Sequence, residues 1–322
     1  MIEFPGLGLS FKISPVALHF GAINLYWYGI IIAAGFMLAV YLGTKSSERF
    51  GIQKENILDL VLFAAPVAII CARLYYVAFK WSDYSKSPID IVKIWKGGLA
   101  IYGGVIGALI VAYFFARHKK IGVLKLIDFG APYLVLAQGI GRWGNFINQE
   151  AFGTNTTLPW GMTGDKIRST IINELESKGV NPGIPVHPTF LYESLWNIAV
   201  FGILIFYRNR KKSDGEVFCL YMALYGLGRS WIEGLRTDSL MLGNLRISQV
   251  LAVLFTLVFI SMFFILRSRA KAREEDDAVT GTSEYGHLLK DSEENVNEAT
   301  ADEVNADADV DKNAKNETEG LV

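Results

Sequence analysis

Residues 23–43 read INLYWYGIIIAAGFMLAVYLG, a run without a charged side chain. A helix crossing the hydrocarbon of a bilayer needs about 20 mostly apolar residues, so this stretch alone sets the class of the chain. Trp27 and Tyr28 lie near its start, where aromatic side chains settle at a membrane interface. Comparable stretches follow at residues 57–79, 99–116, 122–141, 190–207, 217–234 and 247–266. The stretch at 122–141 is the most polar, with Asp128, Pro132 and Gln138 inside it. The expected fold is all-α, a polytopic integral membrane protein of about seven transmembrane helices.

Composition agrees with that reading. Of 322 residues, 51% are hydrophobic and 20% charged, against about 25% charged in an ordinary soluble domain. The net charge of −1 conceals a split: residues 274–322 hold 16 of the 32 acidic residues and 3 of the 31 basic ones, a balance of −13. The remaining +12 lies on residues 1–273. We therefore expect a membrane-embedded catalytic domain over 1–273 and an acidic, disordered cytoplasmic tail over 274–322. Nucleic-acid binding fits this pattern poorly. Cys71 and Cys219 lie apart in apolar runs and suggest neither a disulfide framework nor a metal cluster.

Lys and Arg near span ends are retained on the cytoplasmic side. Fifteen of them follow the first, third, fifth and seventh stretches, and six lie in the opposite short loops. This places the N-terminus outside and the C-terminus in the cytoplasm. The long connection at 142–189 then faces outward, and its segment 166–178 is a candidate amphipathic helix.

Ionisable groups inside a span cost about 2.5–3.5 kcal/mol on insertion scales, so each needs a partner or a task. In GRWGNFINQE (141–150), a continuing helix puts Arg142, Asn145 and Gln149 on one face, a set of donors suited to an anionic headgroup. In YGLGRSWIEGLR (225–236), Tyr225, Arg229, Glu233 and Arg236 form one stripe, and a single carboxylate there leaves positive charge over. In GGLAIYGGVIG (97–107), Gly103 and Gly107 have the spacing of a close helix crossing, with Tyr102 set between glycine pairs. HPTFLYE (187–193) opens the fifth stretch with a polar cluster, and Arg73 near the end of the second reads equally well as a snorkelling side chain.

Together these segments resemble the prolipoprotein diacylglyceryl transferase family, from about Trp27 through Arg236, most specifically in GRWGNFINQE. The resemblance implies transfer of the diacylglyceryl group from phosphatidylglycerol to the lipobox cysteine thiol of a prolipoprotein, the first step of bacterial lipoprotein maturation. It implies a multi-pass protein of the bacterial plasma (inner) membrane, with phosphatidylglycerol, prolipoprotein lipobox peptides and membrane lipids as partners, and neither cofactor nor metal. The family's arginines map onto Arg142 and Arg229, its acid onto Glu150, and its substrate-binding positions onto Tyr28, Asn145 and Gly153. His187, Glu233 and Arg236 fall in the matching segments and join the expected substrate-binding set. One departure matters: many members carry His where this chain has Tyr102. A phenol titrates near pH 10 and an imidazole near 6.5, so either Tyr102 contributes a hydrogen bond or another group, such as Glu150 or His187, takes the thiol proton.

The residue types suit this chemistry. Displacing a phosphate ester from a glycerol carbon builds negative charge on the departing oxygens, and preorganised guanidinium groups stabilise it. Positive surroundings also favour the attacking thiolate. A small-anion transporter is the main rival reading, but no internal repeat relates the first three stretches to the last three. A different membrane transferase is disfavoured by the lack of an acyltransferase His-Asp pair.

Overall fold

A computed structural model describes residues 1–20, 23–85, 87–237, 241, 242 and 245–280. Residues Met1–Leu266 form one compact unit, and a second begins at Arg267. Long helices run along the chain: α1 (Trp27–Ser46), α2 (Lys54–Phe79), α3 (Ile101–His118), α4 (Val123–Asn148), α5 (Thr189–Tyr207), α6 (Glu216–Glu233) and α7 (Ile247–Thr280). Six of these, all but α6, are long and apolar enough to cross a membrane. The chain is thus a mostly helical, multi-pass membrane protein. Helix α6 has 18 residues and carries Glu216, Arg229 and Glu233, which set it apart in composition. Helix α7 runs on to Thr280, past the start of the expected acidic tail; the rest of that tail lies outside the described residues.

Two expectations change at the N-terminal end. Helix α1 begins at Trp27 and not at residue 23, because Ile23–Tyr26 is a strand paired antiparallel with Val16–Phe20. The chain also carries small sheets beside its helices. Strand β1 (Ile2–Phe4) pairs antiparallel with β2 (Leu9–Phe11) and with Thr163–Gly164. Ile2 and Phe4 thereby enter a core with Phe146, Phe152, Met162 and Phe190. The segment 165–178 is helical in consecutive short turns. Ile167, Ile171 and Leu175, spaced four apart, are its buried face, as the amphipathic pattern requires.

Close helix crossings rest on small residues, since lipid supplies no hydrophobic drive between spans. The buried stripe of α1 is Gly35, Ala39 and Gly43, and it packs on α4, where Ile140, Tyr133 and Phe129 face it. Helices α2 and α3 meet at Gly103 and Gly107; a Cβ at Gly107 would stand 2.8 Å from the Cys71 Cβ. Helix α4 is the central element, packed against α1, α5 and α6.

Asp128 shows why a carboxylate is tolerated early in α4. It accepts hydrogen bonds from the Gly215 and Phe218 backbone N–H groups, both at 2.9 Å, and so satisfies the start of α6 from a neighbouring helix. Lys211 adds an ion pair at 2.9 Å and binds Asp214 at 2.7 Å. Burial works against the Lys211 charge, but the two carboxylates outweigh it and raise its pKa.

Arg73 does not snorkel. Its side chain is buried and donates to the carbonyls of Asp90 (2.6 Å), Ile91 (2.8 Å), Gly97 (2.6 Å) and Gly98 (2.9 Å). It pins the α2–α3 connection, and Gly98, at φ +77°, leaves the room for it.

Candidate active site

Helix α4 ends at Asn148, inside GRWGNFINQE. Gln149 and Ala151 both adopt left-handed backbone, at φ 50° and 57°, which stops the helix and turns the chain back. Gln149 therefore does not share a face with Arg142 and Asn145. Its Oε1 instead accepts from the Lys166 backbone N–H at 3.0 Å and holds the 165–178 segment. The same turn brings Glu150 beneath Asn145, whose amide donates to it at 2.9 Å, with Asn148 at 3.4 Å. Asn145 in turn accepts from the Arg142 guanidinium at 3.4 Å.

Arg142 meets a residue that the sequence reading left among helix-entry polar groups. The Glu193 carboxylate on α5 is buried, and its Oε2 lies 2.5 Å from the Arg142 Nη2. Its Oε1 lies 3.3 Å from Arg229 on α6 and 3.4 Å from Arg236. Glu233, one turn beyond Arg229, pairs with it at 2.5 Å. Three guanidinium groups from distant segments thus converge on two buried carboxylates. The Arg142 and Arg229 side chains each keep 25% of their surface open, against 7% for Glu193 and 3% for Glu233. The acids lie beneath and the cations face outward, an arrangement that holds guanidinium donors ready for an anion.

The expected single stripe on α6 is altered. The helix stops at Glu233, so Arg236 reaches the cluster from the following turn. The Tyr225 ring lies tilted against that of Tyr221, with centroids 6.0 Å apart. Arg246 donates to the backbone carbonyls of Glu233 and, at 3.0 Å, of Arg236, which fixes that turn.

Gly153 is placed by backbone geometry. It bridges to Arg236, and its N–H donates to the His187 carbonyl at 2.9 Å. A Cβ there would stand 2.7 Å from the His187 Cβ and 2.8 Å from the Leu235 carbonyl oxygen. Only glycine lets these three segments meet. His187 Nδ1 lies 3.1 Å from the Tyr192 hydroxyl, which also accepts from Trp160 at 2.8 Å. Burial lowers the His187 pKa. The Tyr28 ring covers the Gly144 position.

Tyr102 stands elsewhere. It is 69% exposed at the start of α3, its ring 6.4 Å from that of Tyr75. Among the described residues, no hydrogen bond joins it to the guanidinium cluster.

Comparison with known proteins identifies the family. The family model for prolipoprotein diacylglyceryl transferase matches residues 15–265. The phosphatidylglycerol–prolipoprotein diacylglyceryl transferase of Bacillus cytotoxicus is 47% identical over 263 residues, covering 82% of this chain and 95% of its own. The enzymes of the same name from Geobacillus kaustophilus and Limosilactobacillus reuteri are each 46% identical. The matches cover 81% and 80% of this chain, and 96% and 92% of theirs. The chain therefore belongs to the prolipoprotein diacylglyceryl transferase family.

Proposed function

We propose that this chain transfers the diacylglyceryl group of phosphatidylglycerol to the lipobox cysteine thiol of prolipoproteins in the bacterial plasma membrane. Helix α6 is read as the sixth of seven crossings, with the N-terminus outside and the arginine cluster toward the outer face. The observation that carries the reading is the pair Arg142 and Arg229, drawn from α4 and α6 onto one buried carboxylate with their outer surfaces open.

In the reaction, the thiolate sulfur attacks the glycerol carbon that bears the phosphate. The carbon–sulfur bond forms as the carbon–oxygen bond breaks, and glycerol phosphate leaves with the negative charge. Arg142 and Arg229 hold the phosphodiester and stabilise the charge that grows on it. Asn145 and Glu150 orient Arg142. Glu193, Glu233 and Arg236 keep the guanidinium groups together, while Gly153 and His187 carry the backbone crossing that positions Arg236. Tyr28 lines the headgroup side of the site. Tyr102 contributes at most a hydrogen bond, and the thiol proton passes to Glu150 or His187. Incubating the purified chain with labelled phosphatidylglycerol and a lipobox peptide tests the reading; label in the peptide with release of glycerol phosphate is the expected result.

A further inference from the structure

A second cationic cavity lies at the far end of α4. Lys125 stands 17 residues before Arg142, about 25 Å away at 1.5 Å per helical residue. The cavity has a volume of about 70 Å³, and Phe50, Lys125, Asp128, Arg208, Lys211 and Asp214 line it. A single water needs about 10–15 Å³ measured this way, so the space admits a tetrahedral anion.

The charges around it are not balanced. Lys211 pairs with both Asp128 and Asp214, so the lining holds three cations against two carboxylates and keeps one positive charge over. Asp128 spends its remaining acceptors on the start of α6. Lys125 has no acidic partner among the described residues, and its ammonium lies over Gly51. Arg208 donates through Nη1 to the Tyr133 hydroxyl at 2.7 Å, and its guanidinium sits 4.7 Å from the Phe50 ring centroid. Its Nε–H is buried and has no partner. Buried donors are nearly always satisfied, so this orphan, on a residue that lines the same cavity as the Lys125 ammonium, needs an acceptor. Phe50, Tyr133 and the α4–α5 packing hold the guanidinium in place, which removes most of the ordering cost of binding.

We propose that this cavity binds a phosphate group, gripped by the Lys125 ammonium and the Arg208 Nε–H. Two sources carry that chemistry: an anionic lipid headgroup on the basic side of the membrane, or free phosphate. The site is separate from the arginine cluster and does not depend on the activity proposed above.

The test uses the full chain in a neutral detergent, with thermal unfolding followed at constant ionic strength. Inorganic phosphate and dihexanoyl phosphatidic acid are titrated separately against wild type, Lys125→Gln and Arg208→Lys. Lys125→Gln is the primary variant, because Lys125 makes no contact that the fold requires. A rise in Tm whose half-saturating concentration increases about tenfold in Lys125→Gln, the loss of one charge-assisted hydrogen bond, supports the site. Dependence on both probes assigns free phosphate as sufficient, and dependence on the lipid alone assigns the headgroup. Arg208→Lys is expected to weaken the same response, since the Nε–H is lost while the charge stays. No Tm response to either probe, or one unchanged in Lys125→Gln, overturns the proposal.

Discussion

Glu193 lies between Arg142 and Arg229, with Oε2 2.5 Å from one guanidinium and Oε1 3.3 Å from the other. The carboxylate is buried while both arginines remain partly open. Removing one partner of a buried pair leaves uncompensated charge and costs about 3–5 kcal/mol. Glu193→Gln is therefore expected to lower stability by about 3 kcal/mol and to reduce transfer, because the guanidinium groups repel once their shared anion is gone. Denaturant unfolding beside a transfer assay checks this; an unchanged midpoint with full activity would remove Glu193 from the account.

Gly153→Ala is expected to separate the backbone crossing of Gly153, His187 and Leu235. Its Cβ would arrive 2.8 Å from the backbone carbonyl oxygen of Leu235. Overpacking of this kind costs about 1–3 kcal/mol, and Arg236 shifts with its bridge partner. A lowered Tm, a lowered transfer rate and unchanged far-UV circular dichroism are the expected results.

His187 gives the site a pH dependence of known sign. Burial lowers its folded pKa below the unfolded value of about 6.5, so the unfolded chain binds more protons between the two values. The stability is fully present above pH about 6.5 and declines as pH falls through that window. Wild type is expected to lose Tm between pH 6.5 and 5 more steeply than His187→Asn. Parallel curves would contradict it.

Tyr102→Phe is expected to lose little more than tenfold in activity. A hydrogen bond from a neutral hydroxyl contributes about 0.5–1.5 kcal/mol, about a two- to thirteenfold change in rate. Loss of a proton acceptor costs about 10²–10⁴-fold. A drop in that range, with the Tm unchanged, would make Tyr102 the base.

The spans were legible because each is a long apolar run, and Arg142 and Arg229 stood out because a bilayer does not tolerate them idly. The end of α4 was not. Its stop depends on Gln149 and Ala151 adopting left-handed backbone, which neither residue type announces. Glu193 was hidden for a different reason: one acid at the start of an apolar stretch looks like helix-entry chemistry until two distant arginines arrive on it. Arg73 shows the same limit, since its four acceptors are carbonyls of residues 90–98 and carry no side-chain signature. Strand β1 was invisible for want of any local sign that residues 163 and 164 would supply its second partner.

The most direct measurement is diacylglyceryl transfer by Arg142→Ala, Arg142→Lys, Arg229→Ala and Arg229→Lys in membranes, at matched protein levels. Losing a preorganised donor to developing charge costs about 10²–10³-fold, and lysine cannot restore the planar two-point grip. The account predicts losses of that size in both alanine variants and poor recovery with lysine. Full transfer with either arginine replaced by alanine would contradict it.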